Sequence, residues 1–511
     1  MRMGKPAGAP DAGTRNMERE VVLALDVGTS SVRCVAYDTG GAPVAAVTPT
    51  SRTHQPRVDG SGASELDAEP LLESAVACLA EVSAQAAQGG YRVLGVGVCT
   101  FWHSVLGVDD RDAPCTPLLL WNDTRAAGAA AMLRRELEAN AVHQRTGCVL
   151  HASYLPARLR WLRLHRPELY RASRRFLSFG EFLELRLFGE PRCSLSMASG
   201  SGLLNQEQLE WDGEVLAALE LEPSRLGEVA PGHTGQSGML TAAASLLPNL
   251  RGVPFFPAIG DGAANTLGCG AVGEDEAALM IGTSAALRRF IPGVPRSAPP
   301  PPRGLWRYLL DDRRALIGGA LSNGGNLFAW MTSMLRLPPE AALEAELVRS
   351  GPGSHGLTVL PFLAGERNPD YPDDATGVFV GVRQSTTPAH MAQAGMEAVA
   401  YRLAAIAERI EAAGGPLRGF LASGGVLRSQ AWPRMLADVL GRPVTLSRVA
   451  EASSRGVALL VLEALKRLPD ALAAPQMRGE VLQPDPVRHA QHREARAAHE
   501  ALYSRFIHPT V

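Results

Sequence analysis

The sequence predicts an α/β fold with two similar domains that face each other across a cleft. Residues 23–38, LALDVGTSSVRCVAYD, contain two short apolar runs rich in β-branched residues, joined by a turn at residues 28–31. Residues 276–291, EAALMIGTSAALRRFI, repeat this order of apolar strand, Gly-Thr-Ser turn and returning strand. The 511 residues also exceed what one hydrophobic core holds, so two or more domains are expected.

The elements of the first half follow the opening hairpin in order. We expect a third strand over residues 43–47, after the Gly40-Gly41 turn, and a helix over residues 70–88. Residues 91–100, YRVLGVGVCT, read as a buried strand. Residues 126–190 have apolar positions three and four apart and are predicted to be mostly helical.

The second half predicts a further set of strands and helices. Residues 305–320, LWRYLLDDRRALIGGA, read as a hairpin about Asp311 and Asp312. Residues 417–425, LRGFLASGG, predict a strand, and residues 429–440 predict a helix. The hairpin and strand patterns of the first half therefore recur in the second.

Composition excludes several classes of function. The chain is 46% apolar and has a formal net charge of −2, which is typical of an ordinary globular protein and gives no basic field for nucleic acid. Seven cysteines occur without a CxxC pair, so neither a zinc site nor a disulfide framework is indicated, and a reducing cytoplasm is the expected location. No run of 18 apolar residues suggests a membrane span, and residues 1–18 are expected to be a disordered leader.

The first hairpin limits how a phosphate could be bound. A Rossmann fingerprint and a P-loop both need a helix directly after the glycines, and the chain has only two lysines, Lys5 and Lys466. The groups that remain are the turn N–H groups, hydroxyls, an arginine and a carboxylate that reaches a metal: Gly28, Thr29, Ser30, Arg33 and Asp26. The alternative is a hairpin whose polar side chains only bond to their own backbone.

Asp261 is the strongest catalytic candidate. It follows the extended VPFFPAI and begins an Ala-rich helix, where its carboxylate would face solvent or a ligand. The residues alone leave open whether Asp261 is a catalytic base or an N-cap.

Other residues are candidates for ligand binding by position. Trp102 and His103 lie at the carboxyl end of a buried strand, where ligands of α/β proteins usually bind. Asp123 and Arg125 lie two residues apart, which suits recognition of a hydroxyl and a carboxylate, although the two could instead pair with each other.

Seven motifs, in order along the chain, resemble the FGGY family of carbohydrate kinases. They are DVGTSS, WNDTRA, IGDGAANTLG, IGTSA, LPFLAGERNP, LASGGVLRSQAW and EASSRG. The resemblance covers about residues 20–470 and implies the actin-like, ribonuclease-H-like ATPase fold with a central nucleotide and sugar cleft. It divides the chain into a leader (1–18), an N-terminal sugar-binding domain (19–257), a C-terminal nucleotide-binding domain (258–475) and a helical tail (476–511).

The resemblance also implies the chemistry of the site. Asp261 matches the family's general base, and the cofactors would be ATP and Mg²⁺, with Asp26 and Asp261 near the metal, directly or through water. Gly282 and Thr283 would contact the β- and γ-phosphates. Gly424 and Gly425, with Arg428 nearby, would let adenosine approach the backbone closely, although from the residues alone they form an ordinary βα turn. Family members contact substrate with the loop of Trp102 and His103.

Four further segments are most similar to the gluconate kinases of the family. They are FWHS, SFGEFLELRLFG, SMASGSGLLNQEQLEWD and GGALSNGGNLFAWM. They favour D-gluconate, phosphorylated at its terminal hydroxyl to 6-phosphogluconate, over a pentulose such as xylulose. Two departures from the pattern are Arg33, where lysine is common, and Ser194, where an aspartate usually stands.

Two other classes of protein are alternatives. The first is an actin-like ATP switch, which is non-catalytic toward sugars and would hydrolyse ATP without one. The second is a dinucleotide-dependent oxidoreductase, which is disfavoured because a hairpin replaces the helix after Gly28. The expected partner is a small sugar or sugar acid, with no nucleic acid and no membrane. The sequence leaves a homodimer open.

Overall fold

The structure is a computed structural model that describes residues 19–292, 300–363, 365–372 and 375–507. The leader, residues 1–18, lies outside the described residues, so its expected disorder stays a prediction. In the described ranges no helix combines the length and the apolar character needed to cross a bilayer.

The first half of the chain opens with a hairpin and then mixes strands with helices. Its strands are β1 (Arg19–Val27), β2 (Ser31–Asp38), β3 (Thr50–Thr53), β4 (Arg57–Val58), β5 (Ser64–Leu66), β6 (Tyr91–Thr100), β7 (Leu106–Val108), β8 (Leu118–Leu119), β9 (Arg175–Leu177), β10 (Arg192–Ser194), β11 (Leu204–Asn205), β12 (Glu210–Trp211), β13 (Glu228–Ala230) and β14 (Ile259–Gly260). Its helices are α1 (Ala68–Gln88), α2 (Ala127–Glu136), α3 (Ala139–Thr146), α4 (Leu155–His165), α5 (Pro167–Ala172), α6 (Phe179–Phe188), α7 (Leu195–Ser201), α8 (Gly213–Leu219), α9 (Thr241–Leu246) and α10 (Asp261–Cys269).

The second half opens with two hairpins and ends on a long helix. Its strands are β15 (Glu276–Ile281), β16 (Ala285–Pro292), β17 (Trp306–Leu309), β18 (Arg314–Leu321), β19 (Thr358–Leu360), β20 (Val378–Val380), β21 (Gly419–Ser423), β22 (Val444–Ser447) and β23 (Arg478–Leu482). Its helices are α11 (Gly325–Met334), α12 (Glu340–Arg349), α13 (Pro388–Gly414), α14 (Ala431–Leu440), α15 (Ala452–Ala464) and α16 (Pro486–Ile507).

Two sheets share one strand order. The first sheet runs β3-β2-β1-β6-β14, and β1 is antiparallel to β2 and parallel to β6. The second sheet runs β17-β18-β16-β15-β21-β22-β23, and β15 is antiparallel to β16 and parallel to β21. The five strands from β18 to β22 thus repeat the order of the whole first sheet. The predicted duplication of one α/β domain is confirmed.

Most predicted elements of both halves are present. The first hairpin pairs Val21 with Asp38 and Val27 with Val32, and the second pairs Ile281 with Ala285. The strand predicted over residues 91–100 is β6, and the helix predicted over residues 70–88 is α1. Periodicity succeeds here because these segments are long and bury one continuous apolar face.

The third strand of the first sheet is not where the sequence predicted it. Residues 43–47 form only an isolated bridge, from Pro43 to Tyr37, and then a turn in which the N–H of Val47 donates to the carbonyl of Val44. Pro43 has no N–H to give to a ladder, so the chain leaves the sheet there. The strand forms later, as β3, whose polar and mostly exposed residues suit an edge strand.

The pairing of the strands disagrees with two of the expected domain boundaries. β14 pairs with β6, so a boundary between residues 257 and 258 would separate Ile259–Gly260 from their sheet. The segment after residue 475 is not only a helical tail, because β23 joins the second sheet beside β22 before α16 begins. The remaining limits of the predicted domains stay predictions.

Helices α10 and α15 pack against each other with almost no side chain between them. A Cβ on Gly268 of α10 would lie 1.8 Å from the carbonyl oxygen of Ala452, and one on Gly456 of α15 would lie 1.9 Å from that of Ala264. Real Cβ atoms do not come that close, so both positions require glycine. Helix α15 also covers β1 and β6, while α10 links β14 of the first sheet to β15 of the second. The pair therefore joins the two halves.

We expect Gly456→Ala to destabilise the protein, because the new methyl group meets helix backbone that cannot move aside locally. Overpacking of this kind costs about 1–3 kcal/mol. The matched control is Gly128→Ala in α2, where a Cβ would meet nothing within 4 Å and helix propensity favours alanine. Thermal unfolding should show a lower midpoint for Gly456→Ala only. Equal midpoints for the two variants would contradict the packing argument.

Candidate active site

A cavity of about 200 Å³ lies between the two halves of the molecule, near the ends of β1, β6 and β15. Of the residues predicted to form a site, it brings together five: Thr29, Trp102, His103, Asp261 and Thr283. Its other lining residues are Phe101, Trp121, Ser153, Tyr154, Met280, Ser284, Ala286, Arg288, Trp306, Tyr308, Ala320, Arg367 and Asn368. Both halves of the chain contribute side chains.

Asp261 is the first residue of α10, and Gly260 precedes it as the N-cap. The N-cap alternative for Asp261 is therefore wrong. Its partly exposed carboxylate accepts a hydrogen bond from the N–H of Gly262 at 2.7 Å. Burial raises its pKa, while the charge of Arg288 opposes that rise. The group lies at the cavity wall, where its ionised form can accept a proton from a bound hydroxyl.

Asp26 lies near the end of β1, close to Asp261 in space. Burial raises the pKa of Asp26 to about 6, with a further rise from the negative charge of Asp261. The thiol of Cys99 donates to Asp26 Oδ1 at 3.2 Å and lowers that pKa. Two carboxylates that disfavour each other's charge form a site that a cation would stabilise.

The two carboxylates fit the Mg²⁺ ion that the family resemblance implies. Oxygen ligands are those that Mg²⁺ prefers, and in kinases it usually takes one or two carboxylates together with phosphate oxygens and water. Across the described ranges no group of three or more His, Cys, Asp or Glu side chains forms a metal site by itself. Asp26 and Asp261 would therefore hold the ion jointly with the nucleotide.

The two Gly-Thr-Ser turns have similar internal bonds. The N–H of Gly28 donates to the carbonyl of Ser31, and the N–H of Gly282 donates to the carbonyl of Ser284. We expected these two glycine N–H groups to bind a phosphate. The structure contradicts this, because each already donates its hydrogen bond within its own turn. The hydroxyls of Thr29 and Thr283 line the cavity and remain the candidate donors.

Neighbouring elements brace both turns from behind. In the first turn the carbonyl of Ser30 accepts from the N–H of His54 at 3.0 Å, and the Ser30 side chain is exposed. In the second turn, N–H groups at the start of α11 donate to the carbonyls of Gly282 and Thr283. Both turns are thus fixed by hydrogen bonds from neighbouring elements.

Arg33 is not free to bind a phosphate. It forms an ion pair with Glu451, the residue before α15. It lies on β2 directly opposite Asp26 in the strand register, so its charge also lowers the pKa of Asp26. A phosphate at this position would have to compete with Glu451 for the guanidinium.

Gly424 and Gly425 follow the end of β21, as predicted, and lie outside the cavity. Gly424 has φ 87° and an exposed position, and a Cβ there would lie 2.8 Å from the carbonyl oxygen of Ile281 at the end of β15. Arg428 is exposed at the end of the following short helical turn. This bare backbone surface next to the second turn suits close approach of a nucleoside.

Trp102 and His103 line the cavity and also organise it. The indole N–H of Trp102 donates to the carbonyl of Ser196 at 2.9 Å. His103 Nδ1 lies 2.7 Å from the carbonyl oxygen of Gly200, so this nitrogen carries the proton and Nε2 faces the hydroxyl of Tyr308 at 3.4 Å. Burial and nearby arginines hold the pKa of His103 well below its usual range. His103 is therefore a neutral wall residue.

Asp123 and Arg125 pair with each other. Asp123 is buried and accepts from the guanidinium of Arg125, which also binds Glu65 at 2.6 Å and stacks on Trp161 at 4.4 Å. The structure thus has the alternative in which the two side chains pair, with Nε and Nη2 of Arg125 occupied by carboxylates, and substrate binding by Arg125 stays a prediction. Asp123 lines a smaller pocket of about 110 Å³ that shares Arg367 with the main cavity.

Sequence reasoning missed two arginines, Arg288 and Arg367. Arg288 lies on β16 with its side chain buried, and its Nε and Nη1 atoms have no hydrogen-bond partner among the described residues. Arg367 stacks over Trp121 at 4.6 Å and donates through Nη2 to the carbonyl of Leu321, while its Nε has no partner in those ranges. Both line the cavity beside Asp261.

A signal for each arginine was present in the sequence. Arg288 and its neighbour Arg289 interrupt an otherwise apolar strand, where arginine is unusual, and Arg367 lies in the LPFLAGERNP motif.

Ser194 supports the site from behind. Its hydroxyl donates to the carbonyl of Ala258 at 2.5 Å and accepts from the N–H of Met197, which caps α7. An aspartate carboxylate could make the cap but could not donate to a carbonyl. Serine thus ties α7 to the segment that leads to Asp261.

The chain matches two protein-family models. Residues 21–268 match the N-terminal domain of the FGGY family of carbohydrate kinases, and residues 277–465 match the C-terminal domain of that family.

The chain is similar to several proteins of named activity, among them two curated relatives and one solved structure. The gluconokinase of Bacillus subtilis (strain 168) is 28% identical over 479 residues, which are 91% of this chain and 92% of that protein. The xylulose kinase of Escherichia coli (strain K12) is 27% identical over 420 residues, 82% of this chain and 85% of that one. The gluconate kinase structure from Lactobacillus acidophilus has a TM-score of 0.86 at 23% identity and covers 95% of this chain and 98% of its own. That likeness confirms the predicted fold.

We expect Asp26→Asn to be more stable than the native protein above pH 6. The pKa of Asp26 is about 6 in the folded protein against 3.8 when unperturbed, so native stability falls as pH rises between these values. Asp26→Asn has no carboxyl group to ionise at this position, so its stability does not fall in this way. Its advantage in thermal midpoint, measured from pH 4 to pH 8, should be absent near pH 4, grow through pH 6 and then stay constant. A difference independent of pH would contradict the assignment.

Proposed function

The chain belongs to the FGGY family of carbohydrate kinases, as its seven motifs predict, and on that premise we propose that its acceptor is a sugar acid, D-gluconate, which it converts to 6-phosphogluconate. The observation that carries the proposal is the pair of arginines, Arg288 and Arg367, which line the cavity with Asp261 and have N–H groups without a hydrogen-bond partner among the described residues. Gluconokinases and xylulose kinases both occur among the relatives, so relationship alone does not choose between an acid and a neutral pentulose.

Buried guanidinium groups favour an anionic acceptor. Desolvation lowers the pKa of both Arg288 and Arg367, the negative charge of Asp261 opposes this only in part, and a second anion would stabilise their charge further. A carboxylate offers two oxygens that accept charge-assisted hydrogen bonds from a guanidinium, whereas a hydroxyl offers a weaker, neutral acceptor. Gluconate therefore satisfies donors that xylulose would leave unpaired.

The proposed reaction uses Asp261 as the general base. Its carboxylate takes the proton of the acceptor hydroxyl as the hydroxyl oxygen bonds to the γ-phosphorus of ATP, and the bond from that phosphorus to the β–γ bridging oxygen breaks to release ADP. Thr29 and Thr283 donate hydrogen bonds to the phosphates from opposite walls. Bound Mg²⁺ would supply charge neutralisation at the phosphates, held by Asp26 and Asp261.

A pentulose kinase is the second candidate, and the xylulose kinase relatives favour it. An actin-like ATP switch is distinguished by its ATP hydrolysis, which would not depend on a sugar. A coupled assay of ADP release with gluconate, xylulose and no acceptor separates the three functions.

Asp261→Asn should lower turnover far more than it lowers nucleotide binding, because Asp26 and the phosphates would still hold the Mg²⁺ ion. Asparagine has the size of aspartate but cannot accept a proton at neutral pH, and loss of a general base costs about 10²- to 10⁴-fold in rate. The experiment measures kcat, ATP affinity and thermal midpoint on one preparation. The control is Asp212→Asn, because Asp212 caps α8 outside the cavity, and its kcat should stay near the native value. Retention of more than about a tenth of native kcat by Asp261→Asn would remove Asp261 as the base.

Arg288→Gln should change the choice of acceptor. If the guanidinium binds a carboxylate, kcat/KM for gluconate falls about 10- to 100-fold, while kcat/KM for xylulose changes little. The matched control is Arg289→Gln, since Arg289 is the next residue on β16 and donates instead to the carbonyl of Gly415, outside the cavity. An equal loss for both acceptors would show that Arg288 stabilises the transferring phosphate and not a substrate carboxylate.

A further inference from the structure

One wall of the acceptor cavity is the segment of residues 365–372. Within it, Arg367 and Asn368 line the cavity. The side chain of Asn368 fixes its own position, because it accepts from the N–H of Ala320 at 2.8 Å and donates to the carbonyl of Gly304 at 2.7 Å. Arg367 has fewer bonds of its own, so its placement depends on how the residues around it are held.

The residue before Arg367 is held by a buried ion pair. Glu366 accepts from Nε of Arg402 at 2.7 Å and from Nη2 at 3.1 Å, and both side chains are 1% exposed. Arg402 lies on α13, a helix of the second domain. Burial raises the pKa of Glu366 to about 7 despite this partner, with a further rise from Asp370.

Tyr503 of the C-terminal helix α16 joins the two acidic residues of the segment. Its hydroxyl oxygen lies 2.9 Å from Glu366 Oε2 and 2.9 Å from Asp370 Oδ2. Its ring lies 3.9 Å from the guanidinium of Arg402. A single hydroxyl thus bridges the residue just before Arg367 and the residue three positions after it.

We propose that Tyr503 is a positioning residue for the acceptor site, which holds Arg367 at the cavity wall through its contacts with Glu366 and Asp370. The inference rests on the proposed function, in which Arg367 contacts the acceptor carboxylate. It gives the last helix of the chain a role in acceptor binding, although no residue of α16 lines the cavity.

A change at Tyr503 should affect only the binding of the acceptor. The 365–372 segment does not include the catalytic Asp261 or the two Gly-Thr-Ser turns, so a change at Tyr503 should move acceptor binding without moving the chemical step or ATP binding. The effect should be partial, because Asn368 and Arg402 still hold the segment. Loss of one such hydrogen bond corresponds to about a 3- to 10-fold change in an equilibrium constant.

The test compares Tyr503→Phe with Tyr401→Phe in the full chain. Tyr401 of α13 is a matched control, because its hydroxyl is also buried at the contact between α13 and α16 but bonds to Glu397 and His492, away from the 365–372 segment. We expect Tyr503→Phe to raise KM for gluconate about 3- to 10-fold, with kcat, KM for ATP and KM for xylulose unchanged. Tyr401→Phe should leave all four values unchanged. Equal effects of the two variants on KM for gluconate would overturn the proposal, since they would reflect general loosening of the helix contact.

A double-mutant cycle separates this inference from the proposed function. In the background of Arg367→Gln, Tyr503→Phe should add no further rise in KM for gluconate, because the group that it positions is gone. If Arg367→Gln raises KM for gluconate but Tyr503→Phe does not, the inference about Tyr503 fails and the proposed acceptor stands. If Arg367→Gln itself leaves KM for gluconate unchanged, the assigned role of Arg367 fails and the inference fails with it.

Discussion

The close contact between helices α10 and α15 is the constraint on which the site depends. Helix α10 begins at Asp261 and leads to β15, while α15 covers β1 and β6, which carry Asp26 and Cys99 next to their last residues. Because backbone meets backbone at Gly268 and Gly456, the two helices approach to a separation that side chains would not allow. Asp26, Asp261 and the turns that carry Thr29 and Thr283 each lie at the end of an element that this helix pair holds. The separation of the two helices therefore sets how far apart these groups lie.

The cavity concentrates polar groups that the fold itself leaves unsatisfied. Buried polar atoms normally have partners, and each exception is a candidate for function. Arg288 and Arg367 are such exceptions, and both lie beside Asp261. His103 contrasts with them, because its ring nitrogens both face partners and it stays neutral. The charge of the site is thus carried by arginine and aspartate, and the aromatic residues give it shape.

Pattern in the sequence predicted the fold better than it predicted the site. The duplicated hairpins and β6 were predictable because strand alternation and apolar runs are local properties. β3 was not, because an exposed edge strand of polar residues has the composition of a loop.

Among the predicted site residues, Asp261, Trp102 and His103 were chosen by their position relative to a strand end, and all three line the cavity. Whether an arginine is free or paired depends on distant residues. The sequence could therefore not show that Glu65 also occupies Arg125, nor that Nε and Nη1 of Arg288 have no hydrogen-bond partner in the described part of the chain.

The ion pair between Arg33 and Glu451 has a consequence for how nucleotide affinity responds to salt. A bare arginine that gains a phosphate makes a new attraction between opposite charges, and added electrolyte weakens it. If a phosphate displaced Glu451 from Arg33, one anion would replace another, so screening would weaken the bond that is lost as well as the bond that is gained. Such an exchange would make this contact weaker but less dependent on ionic strength, and Glu451 would be available to pair with Arg33 again when the phosphate leaves.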